Sequence, residues 1–184
     1  MAFAIVGALS LLAGAARGQE KGTDIEPMAP ETAWETRRFS LLAHLGLFTP
    51  LGLAGASGNY AVAPPWLLEV GIGTNGSSFA TAAGSRVRLT FGDYLATGMA
   101  VGLAYGHVPQ SCSGGFEARE CYTREAVPSA YADVYLEARS TQGFLSRLYA
   151  GVLDPLRPNI ETTLLGIRTA GLVPYIGVAL GTAL

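Results

Sequence analysis

Residues 129–153, SAYADVYLEARSTQGFLSRLYAGVL, contain the clearest structural pattern in the chain. Successive side chains of a β-strand point to opposite faces of a sheet. Up to residue 140, alternate positions place small and aliphatic side chains on one face and mostly tyrosine or charged side chains on the other. The polar face consists of Tyr131, Asp133, Tyr135, Glu137 and Arg139. The pattern predicts strands over 129–140 and 144–153, joined by a tight turn at 141–143.

The second of these strands places Arg147 and Tyr149 on the polar face. If the turn is symmetric, Glu137 and Arg147 lie opposite each other on the two strands. Opposite side chains in an antiparallel pair have Cβ atoms about 4.5–5.5 Å apart, so these two can form a direct ion pair. We expect this pair to anchor the interior of the fold.

The same alternation runs from Phe39 to the end of the chain in segments of about ten residues, which is typical of a transmembrane β-barrel. Tight connections are predicted at 64–65, 92–94 and 141–143. The predicted strands are 39–49, 53–63, 66–74, 80–91, 95–107, 129–140, 144–153 and 171–184. We therefore predict an all-β, antiparallel up-and-down transmembrane β-barrel of about eight strands, or of ten if the segment 154–170 contributes strands.

The composition indicates a lipid environment. Charged residues make up 14% of the 184 residues, against about 25% in a typical soluble domain, and the mean hydropathy is +0.32. A bundle of membrane helices is disfavoured because 24 glycines and 10 prolines interrupt the apolar runs, whereas each membrane helix needs about 20 apolar residues. A net charge of -2 without a basic block argues against nucleic acid as a partner.

Each predicted strand has an apolar face, which we assign to lipid, and a mixed face, which we assign to the lumen. His44 is expected on the lumen face. The interior of an eight-stranded barrel is just wide enough to be filled by side chains, so we predict a plugged lumen and not a pore. The predicted polar network of the lumen consists of Glu69, Arg86, Arg88, Asp133, Glu137, Arg139 and Arg147.

The fifth strand is expected to make room for the long lumen side chains. We predict that its small inward residues leave volume for Arg86 and Arg88 to reach towards Glu69. These inward residues are Gly98, Ala100, Gly102, Ala104 and Gly106.

Outward aromatic residues in a membrane barrel collect where the strands cross the membrane interface. We predict an aromatic girdle on the side of the tight turns, which is the periplasmic side in such barrels. Its members are Phe39, Tyr60, Trp66, Phe91 and Phe144.

Residues 1–18 are predicted to be a cleaved signal peptide. They contain an uncharged apolar run of the right length, and small residues allow a cut before Gln19, with an earlier alternative after Ala15. No Lys or Arg precedes the apolar run. We expect 19–38 to be a flexible periplasmic lead-in and 39–184 to be the outer-membrane barrel.

Both cysteines, Cys112 and Cys121, lie in the polar segment 108–128. In a protein exported through an oxidising compartment, we expect them to form a disulfide. A metal site is not expected, because His44 and His107 are the only histidines and no four-ligand zinc set can be recognised. No cofactor is predicted.

Two segments carry a resemblance to a known family: RLTFGDYL at 88–95 and the closing strand PYIGVALG at 174–181. With the strand pattern over 39–184, they resemble the small eight-stranded outer-membrane barrels of Gram-negative bacteria typified by the OmpA transmembrane domain and OmpX-like proteins. The resemblance implies location in the bacterial outer membrane, contact with outer-membrane lipid, and recognition by the barrel-insertion machinery. The last strand of that family usually ends in an aromatic residue, whereas this chain ends in Leu184.

The sequence contains no phosphate-binding loop, dinucleotide fingerprint, zinc-protease motif or nucleophile elbow. We therefore expect a structural or surface-interaction role without catalysis, with 108–128 as the candidate surface for an unknown ligand. One alternative is a soluble periplasmic β-barrel that binds an apolar ligand. Another is a lipid-modifying enzyme resembling lipid A deacylases, which would pair His107 with Ser111, Ser113 or Ser129.

Overall fold

Alternating side chains, interrupted by turn residues, give the chain its strands. The computed structural model describes residues 37–76, 78–108, 125–156, 162–164, 167–169 and 171–184. The strands are β1 (Phe39–Thr49), β2 (Gly52–Ala63), β3 (Trp66–Thr74), β4 (Phe79–Phe91), β5 (Leu95–Gly106), β6 (Val127–Arg139), β7 (Phe144–Pro155), β8 (Thr162–Leu164), β9 (Ile167–Thr169) and β10 (Val173–Ala183). All eight predicted strands are present, and their ends agree with the prediction to within two residues.

Eight of the strands form one closed antiparallel barrel in the order β1-β10-β7-β6-β5-β4-β3-β2. β1 closes the barrel against β10, from Ser40 opposite Ala183 to Leu47 opposite Ile176. The strands β8 and β9 pair with each other in a separate sheet. The predicted eight-stranded up-and-down barrel is therefore confirmed, and the ten-strand alternative is wrong. None of the described residues forms a helix long and apolar enough to cross a membrane.

The two ends of the barrel differ in their connections. One end, called the turn end below, carries the start of β1, the end of β10 and the connections 64–65, 92–94 and 140–143. The opposite end, called the loop end, carries the connections 50–51, 75–78, 107–126 and 156–172.

The two faces of the strands β3 to β7 differ in exposure. In β3, the outward side chains of Leu68, Val70 and Ile72 are 52–63% exposed, whereas Glu69 between them is 6% exposed. The same alternation holds in β4 to β7. The predicted division into an apolar outer face and a mixed lumen face is confirmed.

Lumen glycines provide the space that tyrosine rings occupy. A Cβ added at Gly102 of β5 would lie 2.6 Å from ring atoms of Tyr131, and one at Gly177 of β10 would lie 2.5 Å from the end of the Tyr149 ring. These positions therefore need glycine, because a close-packed interior has no spare volume for a methyl group. The sequence pattern indicated small residues on β5 but assigned their space to arginine side chains alone.

The β1–β2 turn folds into the loop end of the lumen, which the sequence pattern did not predict. Phe48 has a φ of 61°, a left-handed conformation that bulky residues rarely adopt, and the β1–β2 register shifts between Leu45 and Thr49. The turn carries Leu51 inward, where it is 4% exposed. A Cβ added at Gly71 would lie 2.9 Å from the methyl groups of Leu51, so the leucine packs against a glycine of β3.

We expect Gly102→Ala to destabilise the barrel by about 1–3 kcal/mol, because the added methyl group overlaps both the Ala83 carbonyl oxygen and the Tyr131 ring. Gly58 provides the matched control, since a Cβ there would meet its nearest neighbour, the Phe39 ring, at an ordinary 3.5 Å. Gly58→Ala should leave the stability unchanged or raise it by about 0.5–1 kcal/mol. Urea unfolding in lipid vesicles measures both variants, and equal stabilities would contradict this packing.

Candidate functional site: the charged lumen

The lumen contains a continuous chain of ion pairs whose members alternate in sign. It includes six residues predicted for the polar network, and their side chains are at most 7% exposed. The order along the chain is Asp133, Arg86, Glu69, Arg147, Glu137 and Arg88. The seventh residue, Arg139, is also buried and lies two positions beyond Glu137 on β6, towards the turn end.

Glu69 joins the two sides of the lumen. Arg86 Nε and Nη2 donate to its two carboxylate oxygens at 2.8 and 3.0 Å, a bidentate arrangement. Arg147 Nη1 donates to Glu69 Oε2 at 2.9 Å from the opposite side of the barrel. The Glu69 carboxylate on β3 thus pairs with two positively charged guanidinium groups, one on β4 and one on β7.

Glu137 and Arg147 form the ion pair that the turn symmetry predicted. They lie opposite each other in the β6–β7 register, and Arg147 Nε donates to Glu137 Oε2 at 2.8 Å. Glu137 is 0% exposed. Its other oxygen lies 3.1 Å from Arg88 Nη2, so this carboxylate also contacts two arginines.

Arg86 reaches over β5 to an acid on β6. Ala100 lies opposite Arg86 on one side and opposite Asp133 on the other. Its short side chain leaves the guanidinium free to pass, and Arg86 Nη1 lies 2.9 Å from Asp133 Oδ1. The small lumen residues of β5 therefore do give room to the arginines of β4.

The predicted partner of Arg88 was wrong. We expected Arg88 to reach towards Glu69, but it pairs with Glu137. The physical reason is the register: Gly98 lies opposite Arg88 and has no side chain, so the arginine crosses β5 to β6 instead of turning back to β3.

Tyrosines complete this network, although the sequence-predicted site residues did not include them. The guanidinium carbons of Arg86 and Arg147 each lie 5.1 Å from the centre of the Tyr135 ring, within cation–π distance. Tyr175 donates a hydrogen bond from its hydroxyl to Asp133 Oδ2 at 3.1 Å. The alternation that places Tyr135 on the lumen face was the available signal for its role.

His44 lies in the lumen beside Ser57 and Tyr149. Its Nε2 is 2.7 Å from Ser57 Oγ, and its Nδ1 is 3.2 Å from Tyr149 Oη. A serine beside a histidine can also serve as a nucleophile and its base. Here both side chains are at most 4% exposed, and the void beside His44 has a volume of only about 10 Å³.

Small voids lie in the described part of the lumen, and two of them border functional residues. One borders the ion-pair chain and has a volume of about 10 Å³, and the other lies at the loop end with about 20 Å³. Each has space for about one water molecule. Neither void could hold an apolar ligand. No three His, Cys, Asp or Glu side chains of the described residues come together as a metal site.

The described residues of the deacylase-like alternative, Ser129 and His107, both line the small void at the loop end. Ser129 faces the lumen, is 1% exposed, and has no hydrogen-bond partner for its hydroxyl among the described residues. His107 follows β5 at the loop end, where its carbonyl accepts a hydrogen bond from Asn75 Nδ2. Ser111 and Ser113 lie outside the described residues.

Several other predictions also fall outside the described residues. They are the signal peptide at 1–18, the lead-in at 19–38 except for its last two residues, most of the surface segment 108–128, and the disulfide between Cys112 and Cys121.

The outer surface carries aromatic residues at both ends of the barrel. All five predicted girdle residues lie at the turn end and are 40–61% exposed. At the loop end, Phe79 and Tyr105 are 77% and 56% exposed. The sequence reasoning missed this second set because it considered only strand ends next to tight turns.

Comparison with known proteins identifies the fold. No protein-family model matches the chain, and no curated protein matches it. The chain resembles the N-terminal β-barrel domain of Pseudomonas aeruginosa OprF with a TM-score of 0.56 and 14% identity, over 80% of this chain and 98% of that one. It also resembles a chain from the de novo design of transmembrane β-barrels, with a TM-score of 0.51 and 15% identity, over 80% of this chain and 95% of the other. At these identities, the likeness is one of fold.

We expect Glu137→Ala to lower the free energy of unfolding by about 3–5 kcal/mol, because it leaves two buried guanidinium groups without a shared carboxylate. The control is Asp154→Ala, which removes an exposed carboxylate from β7 and should change stability by less than about 0.5 kcal/mol. Equilibrium unfolding in urea measures both variants. An unchanged midpoint for Glu137→Ala would refute the role of this carboxylate.

A second substitution tests the geometry of the network separately from its charge. Arg86→Lys keeps the charge but loses the planar fork that contacts Glu69 and Asp133, so it should cost at least about 1.5–3 kcal/mol. The same change at the exposed Arg38 should be neutral to within about 0.5 kcal/mol. Equal unfolding midpoints for the Arg86→Lys and Arg38→Lys variants would show that the positive charge of Arg86, without its planar geometry, is enough to hold the lumen together.

Proposed function

We propose that the protein is a transmembrane β-barrel of the bacterial outer membrane with a structural or surface-interaction role and without catalysis. The observation that carries this proposal is the inverted polarity of the barrel. Every charged residue of the barrel strands faces the lumen except Asp154, which lies next to the last residue of β7 at the loop end. Proteins in water keep their charged residues outside. A lipid solvent favours the arrangement seen here.

The exposed aliphatic belt supports the same location. It lies between the aromatic residues at the two ends, and in water it would form a large apolar patch of the kind that causes association. Its most exposed members are Leu45, Val70, Met99 and Leu103, at 62–63%. The likeness of the fold to designed transmembrane barrels agrees with a membrane location.

The filled lumen supports a passive role. The ion-pair chain crosses the lumen, and the nearby voids are about the size of single water molecules. We therefore expect no ion conduction and no lumen ligand. Recognition is then left to the loop end, where 108–128 is the candidate contact surface.

Val70→Arg tests the membrane location against a soluble barrel. Val70 lies in the aliphatic belt and is 63% exposed. An arginine near the bilayer midplane costs about 2–4 kcal/mol, so we expect weaker folding into phospholipid vesicles, measured by urea titration. On the surface of a soluble barrel, the same change should fall within about 0.5 kcal/mol.

The control variant is Gln142→Arg, which adds the same side chain to an exposed turn at the turn end. It should fold into vesicles as well as the unmodified protein. If Val70→Arg and Gln142→Arg behave alike, the belt does not face lipid and the proposed membrane location is wrong.

A further inference from the structure

The lumen faces of the described strands carry four buried arginines and three buried carboxylates. The ion-pair chain is neutral by itself, because it alternates three carboxylates with three guanidinium groups. Arg139, the last residue of β6, adds the fourth guanidinium at the turn end and is 3% exposed. Arginine does not lose its proton in proteins. The surplus positive charge therefore persists although it is buried.

The charges around Arg139 are mostly of its own sign. Glu137 attracts its guanidinium, whereas three arginines repel it: Arg88, Arg37 and Arg147. Glu137 in turn is shared with two of those arginines, on β4 and β7. Burying a charge is costly unless an opposite charge accompanies it. The turn end of the lumen therefore favours the binding of an anion.

Arg37 brings a second cation to the same place. Its guanidinium donates to the carbonyl oxygens of Ala183 and of Thr141, which lies two residues beyond Arg139, each at 3.4 Å. Hydrogen bonds of this length are weak, so the Arg37 guanidinium can also donate to an anion. Asp93, in the turn 92–94 at the same end, is exposed, and solvent screens its charge.

Asn59 lies across the barrel from β6 and has a buried amide group. β2 and β6 are on opposite sides of the barrel, and Asn59 is 1% exposed. Neither its amide nitrogen nor its amide oxygen forms a hydrogen bond with any described residue. Ser40 lies opposite Asn59 on one side and opposite Ala183 on the other, so this amide lies in the row of residues that ends at the Arg37 contact. A buried donor without a partner is costly, which points to a ligand.

We propose that the turn-end mouth of the barrel, formed by Arg37, Arg139 and Asn59, binds one oxyanion, which is either a carboxylate or a phosphate. The two guanidinium groups donate charge-assisted hydrogen bonds to it, and the Asn59 amide nitrogen adds a neutral donor. The anion neutralises Arg139 and lies beyond the ion-pair chain, so the lumen itself stays filled. This inference goes beyond the proposed function and does not depend on the membrane location.

Two sources can supply the oxyanion. One source is a free anion such as inorganic phosphate. The other is the chain itself, because the segment 19–36, directly before Arg37, contains five acidic residues and one lysine. Glu35 precedes Arg37 by two residues, which is at most about 7 Å of extended chain. Its carboxylate is therefore the closest in sequence to the turn-end mouth.

Urea unfolding of the full chain, folded in a non-ionic detergent, tests the site. The probe is inorganic phosphate, and chloride at equal ionic strength is the reference. An anion that binds only the folded barrel raises the unfolding midpoint. If a free anion fills the site, phosphate should raise the midpoint of the unmodified protein. If Glu35 fills it, Glu35→Gln should lower the midpoint in chloride, and phosphate should restore it.

Arg139→Gln removes the surplus charge and should abolish the phosphate response. The matched control is Arg38→Gln, which removes an exposed cation at the same end and should leave the response unchanged. A response that survives Arg139→Gln would mean an adventitious ion only. No response in either the unmodified protein or Glu35→Gln would overturn the site.

Asn59→Ala decides the outcome if Arg139→Gln does not fold. With an oxyanion bound from either source, the variant loses one donor, so its midpoint should fall under the conditions that fill the site. Without an anion, removing a buried amide that has no hydrogen bond should raise the midpoint equally in phosphate and in chloride. That second result would contradict the proposal.

Discussion

Charges inside a barrel of eight strands must neutralise one another, because the interior is too narrow to hold the water that would solvate them. The lumen meets this constraint with carboxylates that each contact more than one donor. Glu69 binds arginines from β4 and β7, and Glu137 binds arginines from β7 and β4. Removing either carboxylate therefore leaves two buried arginines without that ion-pair partner. The network ties together strands that are not neighbours in the sheet, which hydrogen bonds of the ladder cannot do.

The shape of the lumen follows from this network. Long side chains from β4 and β6 occupy the centre only because β5 contributes glycine and alanine there. Tyr131 lies against Gly102, and Tyr135 lies between two guanidinium groups. The same strand thus gives room to both arginines and tyrosines. Small residues also lie on the outer face, where Ala43 and Ala56 are opposite each other in the β1–β2 pair.

Much of this architecture could be predicted from alternation alone. A period of two assigns each residue to the lumen or to the outer face, and the 141–143 turn places Glu137 opposite Arg147. Contacts between side chains on two strands that are separated by a third strand could not be predicted in this way. The pairing of Arg88 with Glu137 depends on the combined register of β4, β5 and β6. The inward turn at Leu51 depends on the left-handed conformation of Phe48. This conformation could not be predicted, because it usually occurs at glycine and the residue here is phenylalanine.

The account depends most directly on a closed barrel with lipid outside and paired charges inside. The most direct test is gel mobility of the detergent-extracted protein with and without boiling, together with a far-ultraviolet circular dichroism spectrum of the same sample. A closed barrel predicts a β-type spectrum and a shift in mobility on boiling. The reason is that its hydrogen-bonded strands stay folded in detergent until the sample is heated. A helical spectrum, or identical mobility before and after boiling, would contradict it.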